Sequence, residues 1–205
     1  MTTPTTRIKE YFIGLDLGQR RDYSAIALVS ALTVVTGPKD PYYCHIPTAD
    51  ILRLEFLEQC PRGLKYSKMP RIIAQLRSVL GHDAKTTLAA DATGPGLPVV
   101  ETIKNARLPM EVQPYIITSG GAGIHQSKGV FSIGRETLLS SLRIAIETKR
   151  IRFPKDLRYR MHLNQQLLEA SLDASQAKSH DDLVFAIALA VVSATTRNPS
   201  LLKAV

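Results

Sequence analysis

A chain of 205 residues with 44% hydrophobic and 21% charged positions has the composition of one globular domain able to bury its own core. No apolar run approaches the roughly 18 residues of a membrane span, and the first turns of sequence hold no basic-then-apolar signal, so a cytoplasmic location is expected. The formal charge of +8 concentrates between Arg143 and Arg160, where Arg143, Lys149, Arg150, Arg152, Lys155, Arg158 and Arg160 stand against Glu147 and Asp156; such a stretch suits a solvated helix face or a phosphate backbone.

Residues 1–9, "MTTPTTRIK", read as a flexible polar arm, residues 10–198 as a single domain, and 199–205 as a tail. "YFIGLDLG" alternates with period two and predicts a first strand, "YSAIALVSALTVV" a second and "DILRLEFLEQC" a third. The short turn "GQRRD" predicts that the first two pair antiparallel. The pattern then changes. "KMPRIIAQLRSVLG" carries Ile72, Ile73, Leu76, Val79 and Leu80 at helical spacing with Gly81 as a stop. "TTLAADA" predicts a fourth strand, "LPVVETIKNARL" a helix with Pro98 in its first turn, and "MEVQPYIIT" a fifth strand. "SGGAGIHQSKGVFS" reads as a glycine-rich loop, followed by helices over 134–148, 156–170 and 180–196. The order predicts an α/β fold with a mixed five-stranded sheet, antiparallel through strands one to three and parallel at four and five, with helices on both faces. Cys44 and Cys60 have no metal-type spacing and are too few for a disulfide framework, so both read as reduced bystanders.

Acids fall at three element ends. Asp16 closes the first strand, Asp91 the fourth, and Asp181 with Asp182 opens the last helix. If strands one and four are neighbours, Asp16 and Asp91 project from adjacent ends, and a helix starting at the same edge adds a third wall. Such a cluster of hard oxygen ligands suits Mg²⁺ or Mn²⁺, and a pair of such ions can stabilise both the attacking and the leaving oxygen of a phosphodiester. Each acid also has a structural reading. Asp before Gly at a strand end is a common turn residue, and Ser179 with Asp182 fits a capping box, which leaves Asp181 as surplus.

"FIGLDLGQRRDYSAIALV", "AADATGPGLPVVETI" and "SHDDLVFAIALAVV" resemble, in the same order, the three acidic motifs of the C-terminal nuclease domain of phage large terminases. "IRFPKD" resembles the short basic strand before the penultimate helix of those domains, and Glu169 falls where they often carry an acid. The resemblance covers roughly residues 10 to 196. It implies a ribonuclease H-like fold, a site of Asp16, Asp91, Asp181 and Asp182 binding Mg²⁺ or Mn²⁺, and hydrolysis of double-stranded DNA during genome packaging in a bacterial host. It also implies a packaging ATPase domain, a portal and a small terminase subunit as partners. No G-x-x-x-x-G-K-[ST] phosphate loop occurs in the chain, so ATP hydrolysis is not expected of it.

Lys128 in "GIHQSKG", with Arg150 and Arg152 of the basic stretch, are the DNA-contact candidates, and Arg135 is a further phosphate candidate. Asp22 reads as a turn residue or a neighbour of the metals, and His180 as a cap or a ligand of water or phosphate. Gly120, Gly121 and Gly123 would let their loop gate DNA. A Holliday-junction resolvase shares the expected fold and acids, and a non-cleaving DNA-binding or assembly module would keep the fold alone. "GLDLG" also resembles a phosphate motif of actin-like ATPases, but 205 residues leave no room for their two lobes.

Overall fold

The computed structural model describes residues 7–18, 22–38, 40–43, 46–120, 123–170 and 181–202. Strands β1 (Arg7–Asp16) and β2 (Ala25–Val35) pair antiparallel from Arg7 opposite Thr33 to Asp16 opposite Ala25. Strand β3 (Thr48–Gln59) continues the meander on the far side of β2. Helix α1 (Met69–Ser78) then carries the chain back to β4 (Thr86–Asp91), which lies parallel to β1, and α2 (Gly96–Asn105) leads to β5 (Glu111–Thr118), parallel to β4. These five strands have the order and directions expected from the sequence.

The sheet is nevertheless wider than five strands. The predicted glycine-rich loop contains a hairpin, β6 (Ile124–Ser127) and β7 (Val130–Gly134), turned on Lys128 and Gly129. Lys128 has φ 49° and Gly129 φ 78°, the pair of positive values a two-residue hairpin turn requires. β7 pairs parallel with β5, and the two-residue β8 (Ile151–Arg152) pairs parallel with β3, giving the order β6-β7-β5-β4-β1-β2-β3-β8. β6 is exposed along its whole length, so it lacks the apolar alternation that reveals a strand in sequence.

Alternation along β1 splits the core into two layers. Phe12 faces a cluster formed with α3 (Arg135–Glu147), α4 (Arg160–Ala170) and α5 (Asp182–Arg197), whereas Ile13 and Leu15 face α1 and α2 through Met69, Ile73, Val100 and Ile103. β2 is buried on both faces, which explains its unbroken apolar run. α5 is buried from Asp182 to Thr195, with the sheet on one side and α3 and α4 on the other; a helix apolar all round has no solvent face to offer. Among the described residues no helix is long and apolar enough to cross a membrane.

α5 lies directly on β1. A Cβ at Gly14 would overlap the carbonyl oxygen of Ala186 and stand 2.9 Å from the Ala190 nitrogen, so the contact is backbone to backbone. Gly14→Ala is therefore expected to lower stability by about 3 kcal/mol, near the upper end for overpacked cores. In a chain of this size that is a fall of roughly 6–12 °C in melting temperature. Thermal unfolding followed by circular dichroism checks it, and an unchanged midpoint would mean that α5 does not sit this close.

The expected domain edges shift. β1 begins at Arg7 and takes in residues assigned to the arm, because β2 continues far enough to pair them. Leu201, assigned to the tail, is fully buried in a short turn at Pro199–Leu202. The far end of α5 is tied down by Arg197, which pairs with Glu10 at 3.0 Å and Glu111 at 2.8 Å and donates to Thr87 at 2.6 Å. Cys60 is buried, and burial aided by the Glu58 charge pushes its thiol up to about 11, so it is inert as a nucleophile. Cys44 lies outside the described residues.

Candidate metal centre

Leu15 of β1 lies opposite Ala90 of β4, so the next residue on each strand, Asp16 and Asp91, leaves the sheet at neighbouring positions on one edge. α5 packs across β1 and delivers Asp181 and Asp182 at its N-terminus to that edge. The four acids line one open pocket of about 360 Å³, together with Asp22, Arg135, Thr93, Ile117 and Phe185. A larger groove of about 510 Å³ lies between α3 and α4; Leu139, Leu142, Ile146 and Leu167 make it mostly apolar, with Arg143, Glu147 and Asn164 also lining it and no cluster of acids. The acidic pocket is where chemistry can occur.

Local geometry explains the residues around Asp91. Its Oδ1 accepts the Thr93 N–H at 2.8 Å, and Thr93 Oγ1 accepts the Ile117 N–H at 2.9 Å, which fastens the turn after β4 to β5. A Cβ at Gly96 would overlap the Asp91 carbonyl oxygen, so this glycine lets α2 start against the strand end. On the other side of the pocket, the Tyr66 hydroxyl donates to the Gly18 carbonyl at 2.7 Å and holds the chain just after Asp16.

The N-terminus of α5 is organised by a residue that sequence reading missed. The buried Gln166 of α4 presents Oε1 to the N–H groups of Leu183, at 3.0 Å, and Val184, at 3.4 Å. Asp181 occupies the cap position but makes no side-chain cap bond; its Oδ2 accepts from Arg135 Nη2 instead. The capping box with Ser179 falls outside the described residues, as do His180 and Gly121. Gln166→Leu leaves two buried donors without their acceptor and is expected to cost about 1–3 kcal/mol, measured as a lower midpoint in urea at unchanged slope. No loss of stability would show that α5 needs no such support.

The carboxylates act on one another. Burial first, then the negative charges of Asp91, Asp182, Asp181 and Asp22 in that order, push the Asp16 carboxyl well above its usual range. Burial also raises Asp91, against the lowering effect of the Thr93 hydrogen bonds. The Tyr66 phenol is raised by burial and by Asp16, Asp91 and Asp22. Asp22, read from sequence as a turn or a near neighbour, thus contributes to the pocket. A concentration of negative charge with all-oxygen donors fits a hard divalent cation better than zinc or copper. Among the described residues, however, no three acidic, histidine or cysteine side chains are already drawn in around a single ion position.

The remaining expected contacts are dispersed. Lys128 is exposed at the β6–β7 turn and Arg152 is exposed on the edge strand β8. Arg150 corrects the sequence reading. It is 5% exposed, and its Nη1 donates to the Asp50 carbonyl at 2.9 Å, joining the end of α3 to β3 and not facing a ligand. Glu169 accepts from Gln165 Nε2 at 2.9 Å on α4 and does not line the acidic pocket. Arg135, expected as a phosphate contact, is in the pocket with its guanidinium 4.7 Å from the centre of the Phe185 ring.

By sequence the chain matches neither a protein-family model nor a curated protein. Its fold matches solved structures. The large terminase nuclease from the thermophilic phage G20c, solved with bound zinc, aligns over 94% of this chain and 90% of its own, with TM-score 0.50 and 21% identity. The g2p large terminase nuclease domain of bacteriophage SPP1, solved with bound Mn, aligns over 92% and 88% with TM-score 0.50 and 11% identity. The chain therefore shares the mixed α/β fold of these two nuclease domains.

Proposed function

We propose that this chain is a metal-dependent endonuclease of the large terminase type, cutting double-stranded DNA by phosphodiester hydrolysis. The observation that carries the proposal is the convergence of Asp16, Asp91, Asp181 and Asp182, from two strands and a helix, on one open pocket. Mg²⁺ or Mn²⁺ bound there, as a pair, would polarise the scissile phosphate and supply hydroxide at neutral pH. Asp16, Asp91 and Asp182 would hold the cations from three backbone elements, while Thr93 and Gln166 fix the turn and the helix that aim them. Attack would come from a metal-activated water, so no covalent enzyme intermediate is expected. Lys128, Arg152 and the other exposed cations would follow the DNA backbone, and the displaced counterions would make binding weaken with salt.

By the likeness of fold, the work would be the cutting of concatemeric phage or prophage DNA in the bacterial cytoplasm, with a packaging ATPase, a portal and a small terminase subunit as partners. One observation favours a second reading, a non-cleaving DNA-binding module: Asp181 is already engaged by Arg135. A supercoiled-plasmid assay separates the two. The wild type is expected to nick and linearise DNA in Mn²⁺ or Mg²⁺ and to stop in EDTA, and Asp91→Ala is expected to be inactive under all conditions. Equal cleavage by wild type and Asp91→Ala would end the assignment of the site.

A further inference from the structure

Arg135 stands where local preference would not place a cation. It is the first residue of α3, directly after Gly134, and makes up part of the helix end whose free N–H groups already carry positive charge. Nothing in the helix compensates it except Glu136. Compensation comes from across the pocket: Asp181 accepts its Nη2 hydrogen bond and the Phe185 ring lies beneath the guanidinium at 4.7 Å. Both partners belong to the first turn of α5, so Arg135 bridges two helix N-termini at the acidic edge. A planar, weakly hydrated guanidinium is suited to this stacked, part-buried setting, where an ammonium would keep its water.

The charge balance gives the contact its meaning. Among the described residues lining the pocket, Arg135 is the one cation against Asp16, Asp22, Asp91, Asp181 and Asp182. It therefore relieves part of the repulsion that a divalent ion would otherwise relieve. It does so on Asp181, whose carboxylate accepts from the guanidinium.

We infer that Arg135 is an internal counter-cation that competes with divalent metal for Asp181, so that metal loading requires the guanidinium to let go. The inference rests on the metal-site reading above and adds a regulating residue to it. Arg135 is a positioning residue here: it sets whether Asp181 is available to an ion. Because β7 runs into α3 without a loop, and Gly134 pairs with Thr118 of β5, the guanidinium stays tethered at the rim after release.

Titration of Mn²⁺ into the full chain by calorimetry, with no DNA present, tests the inference. Arg135→Gln is expected to bind Mn²⁺ about tenfold more tightly than wild type, within the 5- to 150-fold range usual for coupled sites. That gain should vanish in the double variant Arg135→Gln with Asp181→Asn. Arg135→Lys, which keeps the charge without the planar stack, should fall between Arg135→Gln and wild type. Equal affinities in wild type and Arg135→Gln, with binding lost in Asp16→Asn, would overturn the counter-cation role and leave the metal site standing. A gain that survives Asp181→Asn would overturn it too. Where Arg135→Gln does not fold, Arg135→Lys binding no more tightly than wild type decides against it. Absence of Asp16-dependent binding in every variant would remove the metal site itself, and the inference with it.

Discussion

Asp16→Asn is expected to reduce DNA cleavage by about 10³-fold or more and, in the same protein without metal, to raise the melting temperature at neutral pH. The first effect follows from losing a ligand whose cations supply several kcal/mol of transition-state stabilisation. The second follows from the pocket's electrostatics. Burial and four neighbouring carboxylates hold the Asp16 carboxyl well above its ordinary 3.8. Between the ordinary and the raised value, the folded state binds more protons than the unfolded one, so stability present below the unfolded value is lost as pH rises through the folded value. At neutral pH the wild type carries the penalty built up above the unfolded value and the Asn variant carries none. The stability advantage of Asp16→Asn should therefore shrink as pH falls toward the unfolded value. Mn²⁺ should reverse the ranking, because it stabilises only a protein that binds it. Thermal unfolding in EDTA and in Mn²⁺, at acid and neutral pH, is the measurement. A variant that loses cleavage and also melts lower in EDTA would show that Asp16 holds the fold together, against the metal-site reading.

How much of this was legible in the sequence depends on where each signal lives. β1, β2 and α5 announce themselves because burial writes a period into the chain, and the apolar run of α5 is long because both of its sides are covered. Asp16, Asp91 and the doublet could be placed at element ends for the same reason: the ends of periodic segments are visible. The β6–β7 hairpin was read as a loop because β6, an exposed edge strand, buries nothing and leaves no period, and β7, which buries Phe131 and Ile133, is only five residues long. Arg150 was misread because a charge run does not reveal which member turns inward; the three-dimensional turn at the end of α3 brings its guanidinium to the Asp50 carbonyl, a hundred positions away. Gln166 and Arg135 gained their roles through contacts across 17 and 46 positions, and no local pattern marks a glutamine as the acceptor for another helix's first turn. The support that Gln166 gives the Leu183 and Val184 N–H groups could likewise not be read from "SHDD" alone, because it comes from α4.

The doublet itself is expected to divide unequally, with Asp182→Asn losing about 10³-fold in cleavage and Asp181→Asn only about tenfold, the first as a ligand lost and the second as a ligand that the cations must share with Arg135. Sequence did not decide between the two acids, and two observations separate them. The Asp182 charge raises the Asp16 carboxyl more than the Asp181 charge does. Asp181 has Arg135 as its partner, so part of its charge is already balanced before any cation arrives. Neither substitution should unravel α5, because Gln166 accepts the Leu183 and Val184 N–H groups whichever acid is changed, so loss of activity would report the pocket and not the helix. Plasmid nicking at saturating Mn²⁺, with circular dichroism to confirm that both variants are folded, is the comparison to make. If Asp181→Asn fell as far as Asp182→Asn, the Arg135 pair would not be dividing the roles of the two acids, and both would have to be counted as equal ligands. The size of the gap thus reads out how firmly Arg135 holds Asp181 once metal and DNA compete for the same edge of the sheet.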